Sequence, residues 1–251
     1  MMTNDEALIK KRFIELAQKA YNGCRFTFTD FLGLSEIDLF YAVEHEISYV
    51  KYKAFGGTEG CERVMIRFGD EEQCGYSEDF PISCVKIAPV AKKFSDVLTH
   101  RDILGAVMNL GIKRCSVGDI IIDDNTAHLF CSDKLAQYIC DNLFRVKHTS
   151  VSCNITDDIP NCYTENISEV SVNVPSLRID AVIAKLYKLS RSTSIELFRG
   201  KKIFVNGRCC ENNSYFLKET DIITVRGKGR FTFNRINSST RKGNLNISVS
   251  I

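Results

Sequence analysis

LSRSTSIELFRGKKIFVNGR, residues 189–208, sets Arg191, Arg199, Lys201, Lys202 and Arg208 against a single acid, Glu196. Its residue order predicts a short helix, a stop and a strand. Ser190 is a helix cap, and Gly200 is expected to end the helix by supplying a left-handed residue. Ile203 and Val205 then alternate into a core, and Asn206-Gly207 is a two-residue hairpin turn. A helix N-terminus presents free backbone N–H groups and a partial positive charge, which makes it a seat for phosphate. Arg191, Ser192 and Thr193 occupy that first turn and add charge-assisted donors.

The pattern continues on both sides. Upstream, Ser176 is expected to cap a helix with Ile179, Val182, Ile183 and Leu186 on one face. That leaves Arg178, Lys185 and Lys188 toward solvent. Downstream, DIITVRGKGRF (221–231) ends the unit with Arg226, Lys228 and Arg230 around Gly227 and Gly229. Two short helices and a small sheet would bury one face and collect cations on the other. Any one of these cations alone reads as a solvated surface charge. The set reads as a phosphate-binding surface. Arg178, Arg191, Lys201 and Lys202 are expected to contact phosphates, with Lys185, Lys188 and Arg199 beside them. Ser190 and Ser192 cap and donate, Asn206 and Gly207 shape the hairpin, and Arg226, Lys228 and Arg230 extend the footprint.

The charge balance of the whole chain supports this. Residues 176–251 hold 15 Lys/Arg against 5 Asp/Glu, a net of +10, while residues 1–175 hold 18 against 26, a net of −8. A basic third on an acidic body points to a polyanionic partner. No run of about 18 uninterrupted apolar residues predicts a membrane span. The charged start MMTNDEALIKKRF lacks an apolar core and a small-residue cleavage site, so a cytoplasmic protein without a secretory signal is expected.

The rest of the chain reads as two smaller units. In the first, a helical stripe of Leu8, Phe13, Leu16 and Ala17 ends near Gly23, and a second helix follows Thr29 or Ser35 through Leu39 and Ala42. VKYKAF and ERVMIRF read as strands around the loop GGTEG (56–60). That loop lacks phosphate-cradle spacing, and strands rather than a helix flank it. In the second, PISCVKIAPV, HRDILGAVMNLG, DIIID, AHLFCS, DKLAQYICDNLF and TSVSCNIT read as βαββαβ, with a tight turn at Asp124-Asn125. This is the ferredoxin-like order. RNA-recognition modules share it, but the aromatic stacking signature is absent, Phe130 standing nearly alone on the inner strands. The polar stretch TDDIPNCYTENISE is expected to link this unit to the basic one. The predicted fold class is therefore α+β in three units: an N-terminal domain over 1–83, a ferredoxin-like domain over 84–160 and the basic domain over 175–251.

Little in the residues argues for catalysis. The 11 cysteines are odd in number, form no CxxC pair and read as reduced, mostly buried small hydrophobes. No metal site, cofactor or small-molecule substrate is expected. No glycine-rich cofactor loop follows a strand, and no Ser/His/Asp or Cys/His set stands out. Arg178-Ile179-Asp180 is similar to an Arg-Leu-Asp catalytic signature of pseudouridine synthases, but it lies inside the binding unit, where Asp180 reads as a helix-start or salt-bridge residue. An RNA-modifying enzyme of that type, and a cell-division-linked interaction protein docking through the acidic N-terminal domain, remain the alternatives.

SLRIDAVIAKL, LSRSTSIELFRGKKIFVNGR and LKETDIITV together resemble the S-four RNA-binding domain, named for the small-subunit ribosomal protein. The match rests on Arg178, Asp180, Ser190-Arg191, Gly200-Lys201, Val205-Asn206-Gly207 and Asp221 at family spacing. One position departs: Thr220 stands where the family usually has Gly before that Asp. AFGGTEGCERVMIRF, LTHRDILGAVMNLGIKRCSVGDIII and the RGKGRF tail are similar to stretches of the bacterial YlmH family, so the resemblance covers nearly the whole chain. It implies a cytoplasmic, ribosome-associated protein that binds ribosomal RNA on the large ribosomal subunit near peptidyl-tRNA; a monomer is expected. The role it implies is in ribosome-associated quality control of stalled nascent chains. It also implies a second RNA-facing patch at His100, Arg101, Lys113 and Arg114, residues that otherwise read as a capped and solvated helix start.

Overall fold

The computed structural model describes residues 4–91, 93, 95–159, 168–239 and 243–251. Residues 160–167 of the expected linking stretch lie outside the described residues. The chain divides into two compact units, 1–163 and 164–251. No helix among the described residues is long and apolar enough to cross a membrane.

In the first unit, helix α1 (Asn4–Gly23) turns Phe13, Leu16, Ala17 and Ala20 inward. These meet Ile37, Phe40 and Val43 of α2 (Leu34–Val43), with the Phe13 and Phe40 rings edge to face at 5.5 Å. Strands β1 (Thr27–Phe28), β2 (Tyr52–Phe55) and β3 (Met65–Phe68) form an antiparallel sheet in the order β1-β3-β2. A short helix, α3 (Glu71–Cys74), follows, capped by Asp70.

The next elements are β4 (Ile82–Pro89), α4 (His100–Met108), β5 (Val117–Asp123), β6 (Thr126–Ser132), α5 (Asp133–Asn142), β7 (Arg145–Val146) and β8 (Thr149–Ile155). Their sheet has the order β5-β6-β4-β8-β7 and is antiparallel throughout. That is the ferredoxin-like arrangement, with β7 added at the edge as a small hairpin strand. Alternation along β4 and β6 assigns the two faces. Val85, Ile87, Ala127, Leu129 and Cys131 lie under Ile103 and Val107 of α4 and Ala136 and Ile139 of α5. Cys84 and Phe130 face the other way and cluster with Ile121, Phe31 and Met65. The second face is thus covered around Phe130 by the chain's own N-terminal segment. Asp124 and Asn125 both have positive φ, at 40° and 60°, as a tight two-residue turn requires.

In the second unit, β9 (Glu169–Val174), α6 (Ile179–Leu186), α7 (Arg191–Arg199), β10 (Ile203–Val205), β11 (Arg208–Cys209), β12 (Ile222–Val225), β13 (Gly229–Ser239) and β14 (Leu245–Ser250) build a six-stranded antiparallel sheet. Its order is β11-β10-β12-β13-β14-β9. Past the basic stretch, β13 runs on and β14 returns to pair with β9, closing the far half of the sheet. Val182, Ile183, Leu197 and Phe198 of the helices pack on Ile203, Ile223, Phe231, Phe233 and Ile247 of the sheet.

Two local expectations also change. Arg178, not Ser176, is the N-cap residue of α6, while Ser176 accepts a hydrogen bond from the Arg178 N–H at 3.4 Å. Gly200 has φ −80° and is not left-handed; Lys201 takes that conformation, at φ 51°. The Lys202 N–H reaches back to the Leu197 carbonyl, which places the left-handed residue one position past Gly200. A Cβ at 200 would lie 3.3 Å from the Glu196 carbonyl oxygen, which favours glycine there for space. The α6 end repeats the geometry with Lys188 at φ 52° and the Leu189 N–H bonded to the Ala184 carbonyl.

Thr220 has φ 71°, and a β-branched residue there is strained. Thr220 thus carries a cost in backbone energy that glycine at this position would not. Thr220→Gly is expected to raise stability by about 1 kcal/mol, read as a higher urea midpoint. A lower midpoint would contradict this.

Candidate RNA-binding site

The second unit brings the predicted cations together in two groups. The first surrounds a groove of about 530 Å³ beside α6, lined by Arg178, Lys185 and Arg191, by the polar Ser176 and Asp180, and by an apolar part, its floor, of Pro175, Ala181, Ala184 and Leu189. Arg178 precedes α6, and its guanidinium is fixed. Nε donates to Asp180 Oδ1 at 3.1 Å and Nη2 to Oδ2 at 2.7 Å. Asp180 is buried, and its Oδ1 also accepts from the Ala181 N–H at 2.9 Å. The hydrogen bonds to Asp180 raise the Arg178 pKa, so this cation keeps its charge. Lys185 and Arg191 are exposed.

Arg191 is the first residue of α7, and the cap is the expected one. Ser190 Oγ accepts from the Thr193 N–H at 3.1 Å and lies 2.9 Å from Ser192 Oγ. Ser194, fully buried, donates to the Asp180 carbonyl oxygen at 3.1 Å and bolts α7 to α6. The groove wall is therefore rigid: one hydrogen-bonded network sets Arg178, the start of α7 and the angle between the helices.

The second group lies at the other end of α7, about 13 Å along the axis from its nine residues. Arg199, Lys201 and Lys202 are exposed there, with Lys201 Nζ 3.1 Å from Glu211. The Arg226 N–H donates to the Lys202 carbonyl, so the start of the β12–β13 turn is tied to the end of α7. The Arg226 guanidinium sits 5.1 Å above the Phe204 ring. Lys228 is exposed and Arg230 half-buried. Lys188, in its left-handed position, is exposed between the helices.

Asn206 and Gly207 form the hairpin turn, at φ 50° and 79°. The Asn206 side chain is committed to the fold: Nδ2 donates to Asp221 Oδ1 at 2.8 Å, and Oδ1 accepts from the Ile222 N–H at 2.9 Å. Buried Asp221 also accepts from the Tyr215 hydroxyl at 2.9 Å and the Lys218 N–H at 2.8 Å. Burial and then the bond to Asp221 push the Tyr215 pKa up to about 12. Asp221→Ala would orphan these donors and is expected to cost about 2 kcal/mol, read as a lower urea midpoint; an unchanged midpoint would contradict this network.

The four residues of the other patch separate in the first unit. Arg101 and Lys113 are exposed. Arg114 turns inward: Nη1 donates to the Val117 and Gly118 carbonyl oxygens at 2.5 and 3.2 Å. Burial and the nearby Arg63 charge lower its pKa to about 10. Arg63 holds the same junction, donating to the carbonyls of Val117 at 3.0 Å and Phe31 at 2.8 Å, while Asp119 accepts from the Glu62 N–H at 2.6 Å. His100 is open to solvent on one side; burial on the other, then the Arg114 charge, lowers its pKa. It is neutral at pH 7 and brings hydrogen bonding rather than charge. The helix cap is Thr99, paired with Asp102, rather than His100 or Arg101.

Sequence reasoning missed the groove floor. Its signal was Ala181 and Ala184, three apart on a helix whose other side chains are all larger. Among the described residues no group of three or more His, Cys, Asp or Glu side chains could hold a metal ion. The cysteines described are free thiols, but the expectation that most are buried is corrected. Only Cys84 and Cys131 are, Cys24 is exposed and the others are half-buried.

Comparison with known proteins adds four findings. Residues 76–158 match a family model described as a putative RNA-binding domain in YlmH, and residues 177–223 match the S4 domain. The chain is 31% identical over 245 residues to ribosome-associated protein quality control protein P2 of Bacillus subtilis, covering 95% of this chain and 90% of that one. The solved structure of cell division protein ylmH from Streptococcus pneumoniae is 21% identical over 65% of this chain and 96% of its own, with a TM-score of 0.49. With a match to the putative RNA-binding domain of YlmH, an S4 domain after it, and a 31% identical relative matched over nearly its whole length, the chain belongs to the YlmH family.

Proposed function

We propose that this protein binds structured RNA on the large ribosomal subunit, close to peptidyl-tRNA, and works there in quality control of stalled nascent chains without performing chemistry on the RNA. The carrying observation is the groove at the start of α7, where Arg178, Lys185 and Arg191 converge on one concave surface. The relative's name supports the ribosomal setting, being ribosome-associated and concerned with protein quality control. Units over 1–83, 84–160 and 175–251 would divide the work, in a monomer of the cytoplasm. The basic third makes the main contact, and His100, Arg101 and Lys113 make a second one, positioned by the inward-turned Arg114.

Asp180 supports binding over catalysis. It is the acid of the Arg-Ile-Asp sequence, but Arg178 and a backbone N–H occupy its oxygens. A nucleophile or general base needs an accessible lone pair. Asp180 instead holds a cation in place.

The test is a salt titration of binding to a structured ribosomal RNA fragment. With about six phosphates engaged, log affinity against log salt should have a slope of roughly −4 to −5.5. A slope near zero would overturn phosphate recognition as the basis of binding.

A further inference from the structure

Resting on the RNA-binding reading above, we infer that the groove beside α6 receives one unpaired, flipped-out nucleotide of the RNA. Its base would lie on Ala181 and Ala184 against the Arg178 plane, and the phosphates flanking it would meet Arg191, Lys185 and the Nη1 edge of Arg178. A phosphate seat alone needs donors but no cavity. Here a cleft of about 530 Å³ lies between the cations, within the roughly 300–1,000 Å³ of small-ligand sites. Its floor is apolar, which is wasted on phosphate and suits the face of a base.

The remaining features point the same way. Arg178 has Nε and Nη2 committed to Asp180, so its guanidinium is a fixed plane with Nη1 and its faces still free of that pair. Unstacked RNA bases are held on aromatic rings or on Arg planes of this kind. The acid on the wall, Asp180, is neutralised by Arg178, so the groove keeps a net positive rim that selects a polyanion. A base inside a duplex is stacked and cannot enter a cleft, which restricts the occupant to a bulge, loop or end.

The experiment uses the full chain and two fluorescein-labelled RNA hairpins, one fully paired and one carrying a single bulged uridine, titrated by fluorescence polarisation. The wild type is expected to bind the bulged hairpin about tenfold more tightly, the lower range of one base–π contact. Ala184→Leu, which fills the floor, is expected to erase that preference. In the wild type, 4-thiouridine at the bulge should crosslink within residues 175–191, a readout independent of the variant's folding. Equal wild-type affinity for both hairpins, a preference that survives Ala184→Leu, or crosslinks confined elsewhere would each overturn the inference. In those cases salt-dependent binding of both hairpins would leave the RNA-binding reading standing. If neither hairpin binds with salt dependence, both fall.

Discussion

Replacing Arg178 and Arg191 together by alanine is expected to weaken RNA binding by about 100-fold at low salt and to flatten the salt slope by nearly two units. Each is charged and borders the same groove. A charge-assisted hydrogen bond contributes roughly 1.5–3 kcal/mol, and each lost phosphate contact removes about 0.9 from the slope. The two losses differ in kind. Arg191→Ala removes an exposed cation at the capped start of α7 and should lower the slope by about one with no change in folding. Arg178→Ala also leaves the buried Asp180 carboxylate without its pair and should lower the stability of the second unit. Binding isotherms over a range of salt, read beside urea unfolding, separate these effects. An unchanged slope in the double variant would remove both residues from the contact set.

Gly57→Ala is expected to be the most damaging small substitution in the first unit. Gly57 has φ 110°, a conformation that side-chain-bearing residues avoid. A Cβ there would overlap the Phe130 ring, lying 2.6 Å from Cε1. Phe130 is fully buried between the GG loop and the sheet, so the ring has no free space to yield. Backbone strain and overpacking together should cost about 4 kcal/mol. The chain has no Trp, so hydrogen exchange resolved by peptide is the suitable readout. Protection should fall across β3 and β6 and stay unchanged in α6 and α7. Undiminished protection around Phe130 would contradict this packing.

Gly57 also shows what could be read from the sequence. The GGTEG loop was correctly placed between two strands, and its spacing excluded a phosphate cradle. Its actual task, holding Phe130 from across the unit, depends on a contact between residues 73 positions apart, which no local pattern records. The same applies to the sheet face. The βαββαβ order was legible from alternating and helical periodicity, since each element buries one side. That the N-terminal segment covers the other side around Phe130 was not, because it follows from tertiary packing. This covering also gives a physical reason for the missing aromatic stacking signature: around Phe130 the face is occupied by protein.

In the basic unit, the caps and turns with strong local chemistry were readable: Ser190 at the start of α7 and Asn206-Gly207 at the hairpin. The positions where the chain tolerates strain were not. Lys188, Lys201 and Thr220 all take left-handed backbone without being glycine, and the reading instead gave that role to Gly200. The β13–β14 return carries no clear strand pattern, because its solvent side is rich in Asn and Ser. In the structure these side chains bond across strands, as Asn237 does to Asn246 at 3.0 Å and Asn246 to Asn173 at 2.8 Å. Arg114 looked like its exposed neighbour Lys113, and only the carbonyls of Val117 and Gly118 distinguish them.

The most direct test of the central claim is sedimentation of cell lysate through a sucrose gradient, following the wild type and the Arg178→Ala/Arg191→Ala variant. The wild type should travel with the large ribosomal subunit, and the variant, folded by urea unfolding, should remain at the top. Wild-type protein at the top of a low-salt gradient, or both forms sedimenting equally with the subunit, would contradict ribosome binding through the groove of the basic unit.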